Sequence, residues 1–110
     1  MVTMIAPGDL RVELRLETLA LTPDGAGGFS ESWTETGLVF AMVEPASARD
    51  RFGAGQTLEE VTHRITIRHR ADIASGMRLR RGVRVFDIRT VNDPDETGRY
   101  LVLKAREQGK

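Results

Sequence analysis

The stretch from Val61 to Leu79 constrains the fold of this chain more than any other, because its first ten residues alternate between two kinds of side chain. One parity carries Val61, His63, Ile65, Ile67 and His69, and the other carries Thr62, Arg64, Thr66, Arg68 and Arg70. Period-two alternation predicts a β-strand with one face toward a core and the other toward water or a partner. Because that second face is basic, we expect it to meet a negatively charged surface.

Charge is segregated along the chain, although the formal net charge is zero. Residues 1–48 contain seven acidic residues against two arginines, and residues 62–84 contain seven arginines against one aspartate. One interpretation is that the basic segment binds nucleic acid, or the acidic face of another copy. The other is that the two segments are neighbours in one sheet and neutralise each other in place. The pattern leaves both interpretations open.

The size and composition of the chain set the broad class of protein. At 110 residues, we expect a single domain spanning 1–110, and few large aromatic side chains are available for its core. The absence of cysteine excludes disulfides, thiolate metal sites and a cysteine nucleophile. Neither a membrane helix of roughly 20 apolar residues nor the basic start of a signal peptide is present. We expect a soluble, unexported protein with no membrane partner.

The rest of the chain reads as short strands separated by turns. Residues 10–16 alternate, and the apolar parity then changes at Leu19 and Leu21, which predicts a bulge or bend near Thr18. Residues 22–28 read as a hairpin turn, and residues 38–43 as a strand covered on both faces that ends at Pro45. Further strands are predicted over 77–80, 83–91 and 100–105. The fold class is therefore all-β, a small barrel or sandwich.

The segment from Pro45 to Glu60 lies between these early strands and follows no sustained period. Connections longer than about 12–15 residues without regular structure are uncommon in compact domains and are often functional. One interpretation is a long irregular loop. The other is a short helix over 46–52 or 57–61 that covers one end of the barrel. The alanines favour a helix weakly and the two glycines oppose it.

Residues with catalytic or metal-binding potential are sparse. His63 and His69 share a strand parity but lie about 20 Å apart at roughly 3.3 Å per residue, too far to hold one metal ion. The acidic cluster at residues 93–96 lacks the spacing of a calcium loop and reads as a solvated turn. No serine lies in a nucleophile-elbow context. We expect no enzyme, no catalytic residue, no metal and no cofactor.

The arginines are the strongest candidate for a binding surface, either for DNA or for a neighbouring subunit. The candidate basic face consists of Arg64, Arg68, Arg70, Arg78 and Arg80. It lacks the interleaved aromatic residues on which single-strand binders stack bases. Contact with phosphates alone would be independent of sequence and sensitive to salt.

An ordered series of short motifs covers nearly the whole chain. The series consists of residues 8–11, the hairpin from Asp24 to Glu35, residues 40–45, residues 62–70 with Asp72-Ile73, residues 77–79 and residues 85–88. It resembles the phage head-tail joining family, also called head-tail adaptor or head-closure (stopper) proteins, of tailed phages and gene transfer agents. Phe40 stands where the family pattern has tryptophan, and His69 where tyrosine is usual. Both departures keep a large ring.

The resemblance implies a small β-barrel that assembles as a ring below the portal and its adaptor. Such a ring extends the DNA channel, receives the tail and helps to retain packaged DNA. In relatives a long loop points toward the channel, and here it would be residues 45–60, with Arg49, Arg51 and Phe52 as the channel residues. The alternative is a free-standing barrel that binds nucleic acid without sequence preference.

The same resemblance implies a set of partners. They are further copies of the chain, the portal or adaptor protein, a tail terminator or tail tube protein, and packaged double-stranded DNA. The expected location is the head-tail interface of a virion or phage-like particle that is made in the bacterial cytoplasm.

Overall fold

Six antiparallel strands dominate the part of the chain that the computed structural model describes, residues 7–47 and 61–109. A short 3₁₀ helix, Pro7–Asp9, is followed by β1 (Val12–Pro23), β2 (Phe29–Pro45), β3 (His63–Arg68), β4 (Arg78–Arg81), β5 (Arg84–Asn92) and β6 (Tyr100–Glu107). The all-β prediction is confirmed, and so is the end of β2 at Pro45. The choice between loop and helix for residues 48–60 lies outside the described residues.

The strands close on themselves in the order β1-β2-β3-β6-β5-β4, and β4 pairs back with β1. Closure gives every strand a neighbour on both sides over part of its length, which limits the edge at which another chain could add a strand. Where a strand is paired on both sides, contacts with other molecules are left to its outward-facing side chains.

The core is formed by the inward-facing side chains of the strands. Its fully buried members include Leu14, Leu16, Ile65, Ile67, Leu79, Phe86, Ile88 and Leu103. The prediction that Ile65 and Ile67 face the core is confirmed. The outward-facing residues of β3 are less exposed to solvent than predicted, because Thr66 is 1% exposed. Thr66 lies opposite Met42 on one side and Val102 on the other, so its neighbours in the sheet are apolar.

The β1–β2 hairpin turns at the predicted position. Asp24 Oδ1 accepts hydrogen bonds from the backbone N–H of Ala26 (2.8 Å) and of Gly28 (3.1 Å). Gly25 and Gly27 have φ values of 81° and 85°, which residues with a Cβ rarely adopt. The turn is therefore specified by its own residues.

A bulge interrupts the hairpin close to the predicted place. Leu16 lies opposite Gly37 and Glu17 lies opposite Glu35, so the extra residue is Thr36 in β2. β1 itself contains no extra residue and keeps its alternation. Glu17 and the apolar residues that follow it at alternate positions therefore lie on the outer face, continuous with Arg15.

The prediction that residues 38–43 are covered on both faces is wrong. Val39 and Ala41 are buried, whereas Leu38 and Phe40 are 41% and 51% exposed. The reason is that a single closed sheet encloses only one of its faces. Apolar residues on the outer parity remain at the surface unless another layer or another molecule covers them.

Candidate interaction surface

Glu17 joins β1 to β4 through two arginines on the outer face of the barrel. Its Oε1 accepts a hydrogen bond of 2.7 Å from Arg78 Nε, and its Oε2 accepts one of 2.9 Å from Arg80 Nε. The register of β1 and β4 explains the contact, because Glu17 lies directly opposite Arg78. The Arg78 guanidinium also lies 4.2 Å from the ring centre of Trp33, which adds a cation–π contact.

The ionisation of Glu17 reflects two opposing effects. Burial of the side chain would raise its pKa, but the hydrogen bonds from Arg80 and Arg78 and the positive charge of both outweigh burial. The pKa of Glu17 is therefore lower than its ordinary value. The carboxylate is charged at neutral pH and is fully occupied by its partners within the fold.

Arg70 is held by a carboxylate and by a backbone carbonyl. Its Nε and one terminal nitrogen donate to the two oxygens of Asp72 at 2.6 and 2.8 Å, and the other terminal nitrogen donates to the Leu38 carbonyl at 3.2 Å. The hydrogen bonds from Arg70 lower the pKa of Asp72 and raise that of Arg70. A Cβ on Gly37 would lie 2.8 Å from this guanidinium, so glycine leaves room for the pair.

The two remaining arginines of the candidate face differ from each other. Arg64 is half-buried, and its Nε has no hydrogen-bond partner in the described part of the chain. Arg68 is exposed, and no carboxylate within 7–47 or 61–109 forms an ion pair with it. Of the predicted set, Arg68 is thus the exposed cation whose charge is available to a partner.

The structure does not bring the five predicted arginines into one cluster. Arg64 and Arg68 lie on β3, and Arg70 follows that strand, whereas Arg78 and Arg80 lie on β4. β3 and β4 are not neighbours in the closed sheet. The channel residues Arg49, Arg51 and Phe52 fall outside the described residues.

Part of the charge segregation is neutralised within the fold. Besides the pairs of Glu17 and of Arg70, Arg84 binds Glu107 through two hydrogen bonds of 2.8 and 3.1 Å. Among these contacts, only the ion pairs of Glu17 join the acidic segment (residues 1–48) to the basic segment (residues 62–84). The interpretation of two segments that neutralise each other in place therefore accounts for Arg78 and Arg80.

A second surface feature was missed by the sequence interpretation. Five exposed large apolar residues lie on the outer parity of the β1–β2 hairpin: Leu19, Leu21, Phe29, Leu38 and Phe40. The available signals were the parity change at Leu19 and Leu21, which the sequence analysis attributes to a bulge or bend, and the apolar run over residues 38–43, which it assigns to a strand covered on both faces. We call these five residues the outer apolar stripe.

No three histidine, cysteine, aspartate or glutamate side chains among residues 7–47 and 61–109 are grouped to hold a metal ion. Within the same ranges, no helix combines the length and apolarity that crossing a bilayer requires.

Comparison with known proteins connects these features to a family. Residues 5–108 match the family described as phage head completion protein. A chain in the virion of a native gene transfer agent particle is 31% identical, with 87% of this chain and 92% of that chain covered and a TM-score of 0.66. Protein SF1141 from Shigella flexneri 2a is 28% identical over 96% of this chain and 99% of its own, with a TM-score of 0.73. No curated protein matches the chain.

Proposed function

The chain belongs to the phage head completion protein family, and from this premise we propose that it is a subunit of the ring that joins the head of a tailed phage or gene transfer agent to its tail. Membership of the family makes the protein a structural component of a phage or phage-like particle and not an enzyme. In the proposed role, the ring extends the DNA channel and helps to retain packaged DNA.

The observation that carries the proposal is the likeness to a chain of a gene transfer agent virion over most of both sequences. The physical features of the barrel agree with it. A joint built by repetition needs a rigid unit with complementary surfaces, and closed strands provide the rigidity. The outer apolar stripe and the exposed Arg68 provide surface that the isolated chain leaves uncovered.

The proposed neighbours in the particle are the portal or adaptor protein on the head side and a tail terminator or tail tube protein on the other. Packaged double-stranded DNA passes through the ring. We place residues 45–60 toward this channel, with Arg49 and Arg51 near the phosphates. Such contacts are independent of base sequence and weaken with salt.

A free-standing DNA-binding barrel has less support. Three of the five arginines that suggested it, Arg70, Arg78 and Arg80, are bound to carboxylates. The carboxylates of Glu17 and Asp72 offset the positive charge of these arginines and occupy part of their N–H donors. The charge that the monomer offers to DNA is accordingly smaller than the sequence suggests.

Electron microscopy of particles made without this protein tests the connector role. We expect heads that are full of DNA or have leaked it, and that carry no tails, with tailed particles restored when the gene is supplied in trans. Normally tailed particles in its absence would refute the role.

The channel assignment has its own test. The double substitution Arg49→Ala with Arg51→Ala should leave the barrel folded but reduce nuclease-protected DNA per particle. A matched control removes two exposed arginines of the described surface, Arg81→Ala with Arg89→Ala. Equal DNA retention in both double variants would contradict the placement of residues 45–60 at the channel.

A further inference from the structure

The β1–β2 hairpin extends beyond the barrel as a two-stranded ribbon. β1 pairs with β4 only from Arg15 to Glu17, whereas its pairing with β2 continues to Pro23 opposite Phe29. Residues 18–23 and 29–34 therefore pair only with each other. Six residues per strand give a ribbon about 20 Å long at roughly 3.3 Å per residue.

The two faces of this ribbon differ in chemistry. Directly opposed residues share a face, and one face carries the pairs Leu19 with Trp33, Leu21 with Glu31, and Pro23 with Phe29. The other face carries Thr18, Ala20, Thr22, Ser30, Ser32 and Thr34. The outer part of the apolar face is uncovered, since Leu21 is 56% exposed and Phe29 is 64% exposed, whereas Trp33 near its base is half-buried and lies beside Arg78. Isolated two-stranded hairpins are marginal in water, so this face gains stability when another surface packs on it.

A matching surface lies at the other end of the hairpin. A groove of about 410 Å³ is lined by apolar side chains that include Leu10, Leu38 and Phe40. Its polar lining is basic and consists of Arg68, His69 and Arg70. Arg70 is occupied by Asp72, which leaves Arg68 as the exposed arginine beside the groove.

The ribbon and the groove are complementary in charge as well as in apolar character. Glu31 stands within the apolar face of the ribbon, and no arginine or lysine of the described ranges forms an ion pair with it. Arg68 at the groove also lacks an ionic partner within those ranges. Opposite charges at an interface of this kind fix its register and favour the correct partner.

The ribbon cannot fill the groove of its own chain. Glu31 and Phe40 lie on the same continuous strand, β2, nine residues or about 30 Å apart at roughly 3.3 Å per residue. A face-to-face pair of ribbons from two copies would place one Glu31 near the other within an apolar contact, which like charges oppose. The remaining match is from the ribbon of one copy to the groove of the next, a head-to-tail contact that can close into a ring.

We propose that the apolar face of the ribbon of one copy packs into the groove lined by Leu10, Leu38 and Phe40 on the next copy, with Glu31 opposite Arg68. This inference depends on the proposed function, because it supplies the contact that repeats around the ring. The occupant of the groove is a second copy of this chain. Each copy places its ribbon in the groove of one neighbour and receives the ribbon of the other neighbour in its own groove.

Cross-linking in assembled particles tests the geometry. Because the chain contains no cysteine, the introduced thiols are the only ones it contributes. Particles carrying both Leu21→Cys and Leu38→Cys are treated with a short bismaleimide, which joins two thiols without a redox step. We expect a ladder of covalent oligomers well beyond the dimer, because each copy is linked on two sides. The control combines Leu21→Cys with Val83→Cys, a residue that is 98% exposed on the turn before β5, and should give no ladder.

Other products would overturn the inference. Dimers from Leu21→Cys alone would indicate ribbon-to-ribbon packing. A cross-link to a different particle protein would indicate that the ribbon binds the adaptor or the tail. Absence of any cross-link in normal particles would exclude this contact while leaving the connector role intact. The connector role itself fails only if particles acquire tails without the protein.

A charge exchange tests the proposed pair directly. Glu31→Arg and Arg68→Glu should each reduce the yield of tailed particles at least tenfold, and the double variant should recover most of the yield. Circular dichroism of each purified variant separates an assembly defect from misfolding. If the two single effects multiply in the double variant instead of cancelling, the two residues do not face each other.

Discussion

Glu17 Oε1 accepts a 2.7 Å hydrogen bond from Arg78 Nε across the β1–β4 pair. This contact lies where β1 leaves the barrel, because the pairing with β4 ends at Glu17. The second oxygen of the carboxylate binds Arg80. One side chain that is 5% exposed thus joins the two strands at the base of the ribbon.

Replacing Glu17 with alanine should destabilise the isolated protein by about 1–3 kcal/mol, since two arginines lose a buried charged partner. The loss is measured by urea unfolding at neutral pH. Glu13→Ala is the matched control, because Glu13 lies on the same strand parity and is exposed. Its effect should stay within about 0.5 kcal/mol. Equal losses for both variants would contradict a structural role for the Glu17 pairs.

The stability that Glu17 contributes should depend on pH in a defined direction. Its pKa in the folded protein lies below the ordinary value of 4.5. Folding therefore favours the carboxylate, and the contribution is present above pH 4.5 and declines as the pH falls toward the folded pKa. The free energy of unfolding of wild type minus that of Glu17→Gln should shrink over that acidic range. Parallel pH profiles for the two proteins would be inconsistent with the lowered pKa.

The sequence predicted the strands well because their signals are local. Alternation identified β3, and the turn residues around Asp24 identified the hairpin. The predicted bulge near Thr18 was close, but the extra residue was assigned to the wrong strand. A change of parity in β1 can arise from an extra residue in β1 or from a change of environment on one face. Only the register with β2 distinguishes them.

The binding surface was less predictable because it depends on which strands become neighbours. The separation of Arg68 on β3 from Arg80 on β4 follows from the strand order, which a single sequence does not contain. The exposure of Phe40 has a similar origin. An apolar residue on the outer parity looks the same in the sequence whether a second layer covers it or not.

Truncation of the β3 core residues tests the assignment of strand faces. Ile65→Ala and Ile67→Ala should each destabilise the barrel by about 2–5 kcal/mol, because both side chains are fully buried and leave cavities. Thermal and urea unfolding of the purified variants measure the loss. Arg68→Ala, at the exposed end of the same strand, should change stability by no more than about 0.5 kcal/mol. A loss near zero for the isoleucines would mean that the faces are reversed.

Gly37 and Arg70 should show coupled effects on stability. A Cβ at position 37 would lie 2.8 Å from an Arg70 terminal nitrogen, so the guanidinium must shift in Gly37→Ala, and we expect the shift to weaken its hydrogen bonds to Asp72 and the Leu38 carbonyl. When Arg70 is already alanine, the same change meets no obstacle, and it removes the backbone freedom of glycine from the unfolded chain. We therefore expect Gly37→Ala to destabilise the wild type and to be neutral or stabilising in the Arg70→Ala background. A double-mutant cycle by urea unfolding should give a coupling energy of at least about 0.5 kcal/mol between the two positions. Additive effects would show that the guanidinium moves aside without losing its partners.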